Sequence, residues 1–187
     1  MTRGTNRVAY KSPLHEMTQS TPTCLWNDSA SIRELTYSIE HGAVGATCNP
    51  VIVLAVLKQE MAAWKDRIRN LIESMPASSE DEIAWQLVRE ISAKGAALLK
   101  PVFDEHKGRN GRLSIQTDPR LYRNTQAIVE QAAAFDAIAP NMIVKIPVTS
   151  AGIPALEEAT YRGISINATV CFTSRSALPS LKRWSVD

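Results

Sequence analysis

The sequence is short of cysteine, glycine and long apolar runs, and each shortage removes a class of protein. Its three cysteines, Cys24, Cys48 and Cys171, stand far apart, form no CxxC pair and have no histidine close by in sequence. That pattern supports neither a disulfide framework nor a zinc site, and it predicts free, buried thiols in a reducing compartment. No apolar stretch approaches the roughly 20 residues needed to cross a bilayer. Residues 1–22 are polar and lack the apolar core of a secretory signal. They read as a flexible lead-in to a domain over residues 23–187, with a cytoplasmic location and no membrane partner expected. The eight glycines form no phosphate-binding fingerprint after the first apolar run, where Asn27-Asp28-Ser29-Ala30 stands instead. Charge of one sign is also scarce: the net is +2, and the one short basic run, Lys107, Arg109 and Arg112, reads as a solvated loop. A nucleic-acid partner is therefore not expected.

What is present is an alternation. Short apolar runs rich in β-branched residues occur at Thr23–Asn27, Ala43–Cys48, Arg112–Thr117, Met142–Val148 and Ser165–Phe172. Their length and composition suit buried parallel strands. Between them lie helical patterns. Ser29 or Ser31 caps a helix through Ile32, Leu35 and Ile39. Pro50 opens one carrying Val53, Val56, Leu57 and Met61. Another stretch runs through Trp64, Ile68, Leu71 and Ile72, and Ser78–Glu82 caps one carrying Ile83, Leu87, Ile91 and Leu98. Asn124–Ala139 and Ile153–Tyr161 supply two more. Strands alternating with helices predict an α/β fold with a parallel sheet. A doubly wound sheet and a (β/α)8 barrel both satisfy that order. Polar residues near the end of every strand (Asp28, Asn49, Gln116, Lys145, Asn167 and Thr169) favour the barrel, whose catalytic groups come from the ends of several strands.

Lys145 is the leading catalytic candidate. It interrupts the apolar run Met142-Ile143-Val144-Lys145-Ile146-Pro147-Val148. Apolar walls disfavour the ammonium form and free a neutral amine to attack a carbonyl, forming a Schiff base. The alternative is a lysine that snorkels to solvent or pairs with a carboxylate. Asp28, closing the first strand, suits proton transfer to and from a hydroxyl, or else caps the next helix. Asn49, Asn167 and Thr169 are short polar groups able to hold hydroxyls, or else strand-end and turn residues.

Taken together the segments resemble the transaldolase family. Asp28-Ser29-Ala30-Ser31 and Gly45-Ala46-Thr47-Cys48-Asn49-Pro50 resemble its opening pair of motifs, and Ser114-Ile115-Gln116-Thr117-Asp118-Pro119-Arg120-Leu121 its third-strand motif. Val144–Gly152 is similar to the segment that carries the Schiff-base lysine, and Gly163–Thr169 to the fifth-strand Asn-x-Thr. The resemblance implies a (β/α)8 TIM-barrel type and transfer of a three-carbon unit between sugar phosphates. Lys145 would add to the C2 carbonyl and Asp28 would take the C4 hydroxyl proton. Asn49, Asn167 and Thr169 would orient the substrate, with Thr47 in support. It implies no metal and no organic cofactor, because the protonated imine is the electron sink. Gln116 stands where transaldolases usually carry glutamate. Glutamine orients a water but cannot accept its proton. The related fructose-6-phosphate aldolases also carry glutamine there, so aldol cleavage stands as the alternative to transfer.

Five strands fall short of a barrel of roughly 250 residues. The chain is expected to be a barrel truncated after the fifth strand, by frameshift or by expression as a fragment, with its pattern changing at Pro179 and over Lys182–Asp187. The later strands would hold the arginines that grip phosphate in this family, and neither Arg120 nor Arg123 matches a motif for that role. An open barrel edge favours self-association, and a non-catalytic remnant is a further reading.

Overall fold

The computed structural model describes residues 9–172. Its first element is α1 (Pro13–Ser20), capped by Ser12 with Pro13 at the first helical position. A helix thus lies inside the segment read as a structureless lead-in; the serine–proline pair that starts it is a local signal without the long apolar pattern that marks the other helices. There follow β1 (Leu25–Asn27), α2 (Ile32–Glu40), β2 (Ala43–Cys48), α3 (Pro50–Gln59), α4 (Met61–Ser74) and α5 (Glu80–Glu105). After these come β3 (Arg112–Gln116), a 3-10 turn (Pro119–Leu121), α6 (Thr125–Asp136), β4 (Met142–Pro147), α7 (Gly152–Tyr161) and β5 (Ile166–Thr169). The first and fifth strands are shorter than predicted, the paired residues being Leu25–Asn27 and Ile166–Thr169. The pattern change at Pro179 and Lys182–Asp187 lies outside the described residues.

The strands form one sheet in the order β1-β2-β3-β4-β5, every neighbouring pair parallel. A doubly wound sheet reverses direction at a switch point; this one adds each strand beside the last, as a barrel does. The five strands with their helices are an arc of a (β/α) barrel.

One face of the arc is closed by helices. Leu113 and Ile115 of β3 and Met142, Val144 and Ile146 of β4 are at most 1% exposed. They pack with Leu87, Ile91 and Leu99 of α5 and with Ile128, Val129 and Phe135 of α6 in one core. Each such side chain contributes about 2 kcal/mol by leaving water. The opposite face carries the intervening residues of each strand. On β4 the alternation is strict, so that Ile143, Lys145 and Pro147 are half-buried between fully buried neighbours. Gly45 belongs to that face, and a Cβ there would lie 2.5 Å from the Trp26 ring. The absent side chain lets the indole cover the start of β2.

Asn141 ties the bottom of the sheet together. It is 1% exposed, its amide donates to the Ala96 and Gly111 carbonyls at 2.8 Å each, and its own carbonyl accepts from Leu113. Asn141→Ala leaves two carbonyls without that donor in a closed interior. It should lower the free energy of unfolding by about 2 kcal/mol, measured as the urea midpoint at unchanged slope.

The thiols were expected to be buried, and of the three only Cys48 is: Cys24 is exposed and Cys171 half-buried, because each lies at or beyond the end of a strand where no helix covers it. Burial pushes the Cys48 thiol up to about 11, against a weaker opposing pull from the Ser92 hydroxyl. An unfolded thiol ionises near 9. The unfolded state therefore loses its proton first, and the stability that Cys48 contributes, complete below that pH, is lost as pH rises toward 11. Ellman titration of the native chain should label Cys24 promptly and Cys48 only on unfolding. Prompt native labelling of both would contradict the packing.

Candidate active site

Parallel pairing sets the site. Gln116 pairs with Lys145, and Lys145 with Asn167, so three adjacent strands present these residues in one row. Paired residues of a parallel sheet point to the same side, and here it is the face not covered by the core helices. The row lies at the C-terminal ends of the strands, where barrel enzymes keep their chemistry. One step further, Pro147 pairs with Thr169.

A cleft of about 240 Å3 opens on this row, lined by Gln116, Lys145 and Thr169 with Tyr122, Pro147 and Thr149 among its walls. Lys145 is half-buried. Among the described residues its amine has no carboxylate and no hydrogen-bond acceptor. The carboxylate-paired alternative is therefore not what the chain adopts. The strand is also less uniformly apolar around the amine than its sequence suggests: alternation sends Val144 and Ile146 to the helix side, leaving Gln116, Asn167 and Thr169 beside Lys145.

Asn167 is fixed from below. Its amide donates to the Ser114 hydroxyl at 3.2 Å. Ser114 is fully buried, two residues before Gln116 and on the same face of β3. A buried hydroxyl with that partner holds the carboxamide in one orientation.

The other two strands contribute a second group. The Thr47 hydroxyl donates to the Asp28 carboxylate in a short contact. Asp28 is exposed at the end of β1 and does not cap α2, since Ser31 takes that position. Asn49 behaves differently: its side chain accepts from the Ile52 backbone amide at 2.9 Å and caps α3. Its turn role is realised, and neither it nor the Asp28–Thr47 pair lines the Lys145 cleft. The structure thus brings Lys145, Gln116, Asn167 and Thr169 together, and Asp28 with Thr47, as two groups on the top of one arc.

Arg120 is engaged elsewhere. Its guanidinium binds Asp118 at 2.7 Å and also pairs with Asp81 at the start of α5. Burial alone would raise the Asp118 carboxyl, but the Arg120 guanidinium and backbone amide hold it below its usual range. This network fastens the β3 loop to α5. Tyr122, Thr149 and Ser114 are members of the site that were not singled out from the sequence, although Ser114 and Thr149 lie within the third- and fourth-strand motifs. Ser114 carried a signal, a polar residue at period two from Gln116; Tyr122 and Thr149 carried only their position in loops after strands three and four. Among the described residues no group of three or more histidine, cysteine or carboxylate side chains is placed to hold a metal ion, and no helix is long and apolar enough to cross a membrane.

Comparison with known proteins agrees with this geometry. The profile of the family described as transaldolase/fructose-6-phosphate aldolase matches residues 25–183. A protein named transaldolase 2 from Streptomyces avermitilis is 34% identical over 158 residues, 80% of this chain and 41% of that protein. A transaldolase from Thermobifida fusca is 33% identical over 171 residues, 87% of this chain and 45% of that one. One from Acidothermus cellulolyticus is 32% identical over 139 residues, 70% and 35% of the two chains. The chain spans about two fifths of the length of these relatives. On a parallel arc with its polar row at the strand ends, and on a profile that runs through all five strands, this chain belongs to the transaldolase/fructose-6-phosphate aldolase family.

Proposed function

We propose that this chain carries the Schiff-base half of a transaldolase-type reaction on sugar phosphates, with Lys145 as the nucleophile. The observation that carries the reading is an amine in a cleft, without a carboxylate or acceptor of its own among the described residues, in register with Gln116 and Asn167. An unpaired amine at such a position is available to a carbonyl.

Lys145 Nζ adds to the C2 carbonyl of a ketose phosphate, and loss of water leaves an imine. Asp28 takes the proton of the C4 hydroxyl as the C3–C4 bond breaks, and that electron pair moves into the protonated imine to give an enamine. The aldose phosphate departs. The enamine carbon then attacks the aldehyde of a second aldose phosphate, and hydrolysis of the new imine restores the amine. Thr47 donates to Asp28 and holds the carboxylate in one orientation; Asn167 and Thr169 meet the hydroxyls next to the imine. Asn49 contributes by capping α3 and shaping the turn after β2. The protonated imine serves as electron sink, so the chemistry calls for neither a metal nor an organic cofactor. The setting we propose is cytoplasmic sugar metabolism of the pentose phosphate type, with sugar phosphates as the partners.

Gln116 favours a second reading of the same site. It orients a water beside Lys145 but cannot take its proton, which slows the steps that re-form and hydrolyse imines during transfer. Simple aldol cleavage of fructose 6-phosphate is the alternative outcome.

Borohydride reduction with fructose 6-phosphate should add a sugar-derived mass to Lys145, read by peptide mass spectrometry, and Lys145→Ala should abolish it. An unmodified lysine under saturating sugar would mean a non-catalytic chain. Asp28→Asn should retain trapping yet slow cleavage by about 10^2 to 10^4-fold. Sustained turnover only with an added aldose acceptor marks transfer; steady release of the three-carbon product without one marks the lyase.

A further inference from the structure

Resting on the Schiff-base reading of Lys145, we propose that Val170 is a specificity-determining residue. A strained backbone step turns its side chain into the cleft, where it forms a hydrocarbon wall against the three-carbon unit held at Lys145. Val170 has a φ of 60°, in the left-handed region. There the Cβ crowds a backbone carbonyl oxygen, and a β-branched residue tolerates the conformation least. Among the described residues one other non-glycine position, Lys107, has a positive φ, and glycine takes the remaining four. A turn alone is met by glycine without that cost. A valine held there points instead to what its side chain does.

Alternation shows what the step achieves. Asn167 and Thr169 pair with Lys145 and Pro147, so both face the cleft, and a regular strand would send residue 170 to the helix-covered side. The ladder ends where the Val148 amide donates to the Thr169 carbonyl at 2.9 Å. The left-handed step follows at once and breaks the alternation, so two successive side chains, Thr169 and Val170, both line the cleft. Val170 stays 51% exposed, so burial in the core does not offset its strain. Branching at Cβ leaves it few rotamers, and the wall is set before a ligand arrives. Pro119, Pro147 and Val170 are the aliphatic members of the cleft lining. A three-carbon unit bonded to Lys145 presents C–H groups as well as hydroxyls; the wall meets the first and Thr169, next to it, the second.

The test asks for opposite changes in stability and in ligand handling. Val170→Gly keeps the turn, relieves the strain and removes the wall. It should raise the urea midpoint at unchanged slope. It should also raise, about threefold to tenfold, the dihydroxyacetone concentration needed for half-maximal borohydride trapping at Lys145. Val170→Ala should fall between wild type and glycine in both. Cyclohexyl hydroxymethyl ketone, in which a ring replaces one hydroxymethyl group, should gain on dihydroxyacetone as the wall is removed. Lys107→Gly, which changes the other positive-φ position at the opposite end of the sheet, should leave trapping and preference unchanged. A lower midpoint for Val170→Gly would overturn the strain, and an unchanged half-saturation and preference would overturn the wall. Calorimetric titration with dihydroxyacetone, without borohydride, separates the two readings. Binding that weakens in Val170→Gly while Lys145 stays unmodified would sink the Schiff-base reading alone; no binding by either route would end both.

Discussion

The site depends on the alternation of side chains along β4. Met142, Val144 and Ile146 are driven into the helix-covered core, and their burial turns the residues between them to the other face. Lys145 takes its orientation from that pull. A one-residue slip in the pairing would send the amine into hydrocarbon and bring Val144 and Ile146 to the cleft, losing several side chains' worth of burial at about 2 kcal/mol each. The geometry of the row is thus a by-product of packing on the reverse side of the sheet, reinforced by Ser114 holding Asn167 beneath it.

The same constraint explains how a few polar residues can define a site on an otherwise apolar strand. Parallel register places Gln116, Lys145 and Asn167 side by side although 51 positions separate the first from the last. Each is held by backbone pairing rather than by contacts with the others; the Asn167 amide is engaged by Ser114, while the Lys145 amine has no acceptor among the described residues. Asn49 shows the opposite outcome. Its carboxamide satisfies an orphan amide at the start of α3, and a side chain engaged that way has less to offer a substrate. Arg120 and Arg123 differ for a similar reason. Two carboxylates claim the first, whereas the second rests on a ring that cannot neutralise it.

Most of the architecture was legible from pattern. The second strand's limits are those of its apolar run, and the parallel sheet follows from strands separated by helical periods. Alternation alone missed the choice between barrel and doubly wound sheet, because both produce it; the polar residues at the strand ends and the resemblance to one family decided for the barrel. α1 was also missed: Ser12 and Pro13 start it, but no apolar stripe advertises a helix of eight residues. The depth of the thiols could not be read either, since Cys24 and Cys48 each sit in a short apolar run and only packing separates them.

The sequence by itself determined the candidates: Lys145 within an apolar run, Asp28, Gln116, Asn167 and Thr169 near strand ends, and the order of motifs that resembles one family. Composition and spacing report what each residue is and how far along the chain it lies. Only the tertiary structure decided which of them meet, because pairing across strands and competition for hydrogen-bond partners are long-range. It set Lys145 beside Gln116 and Asn167, assigned Asn49 to a helix cap, and linked Asp28 to Thr47.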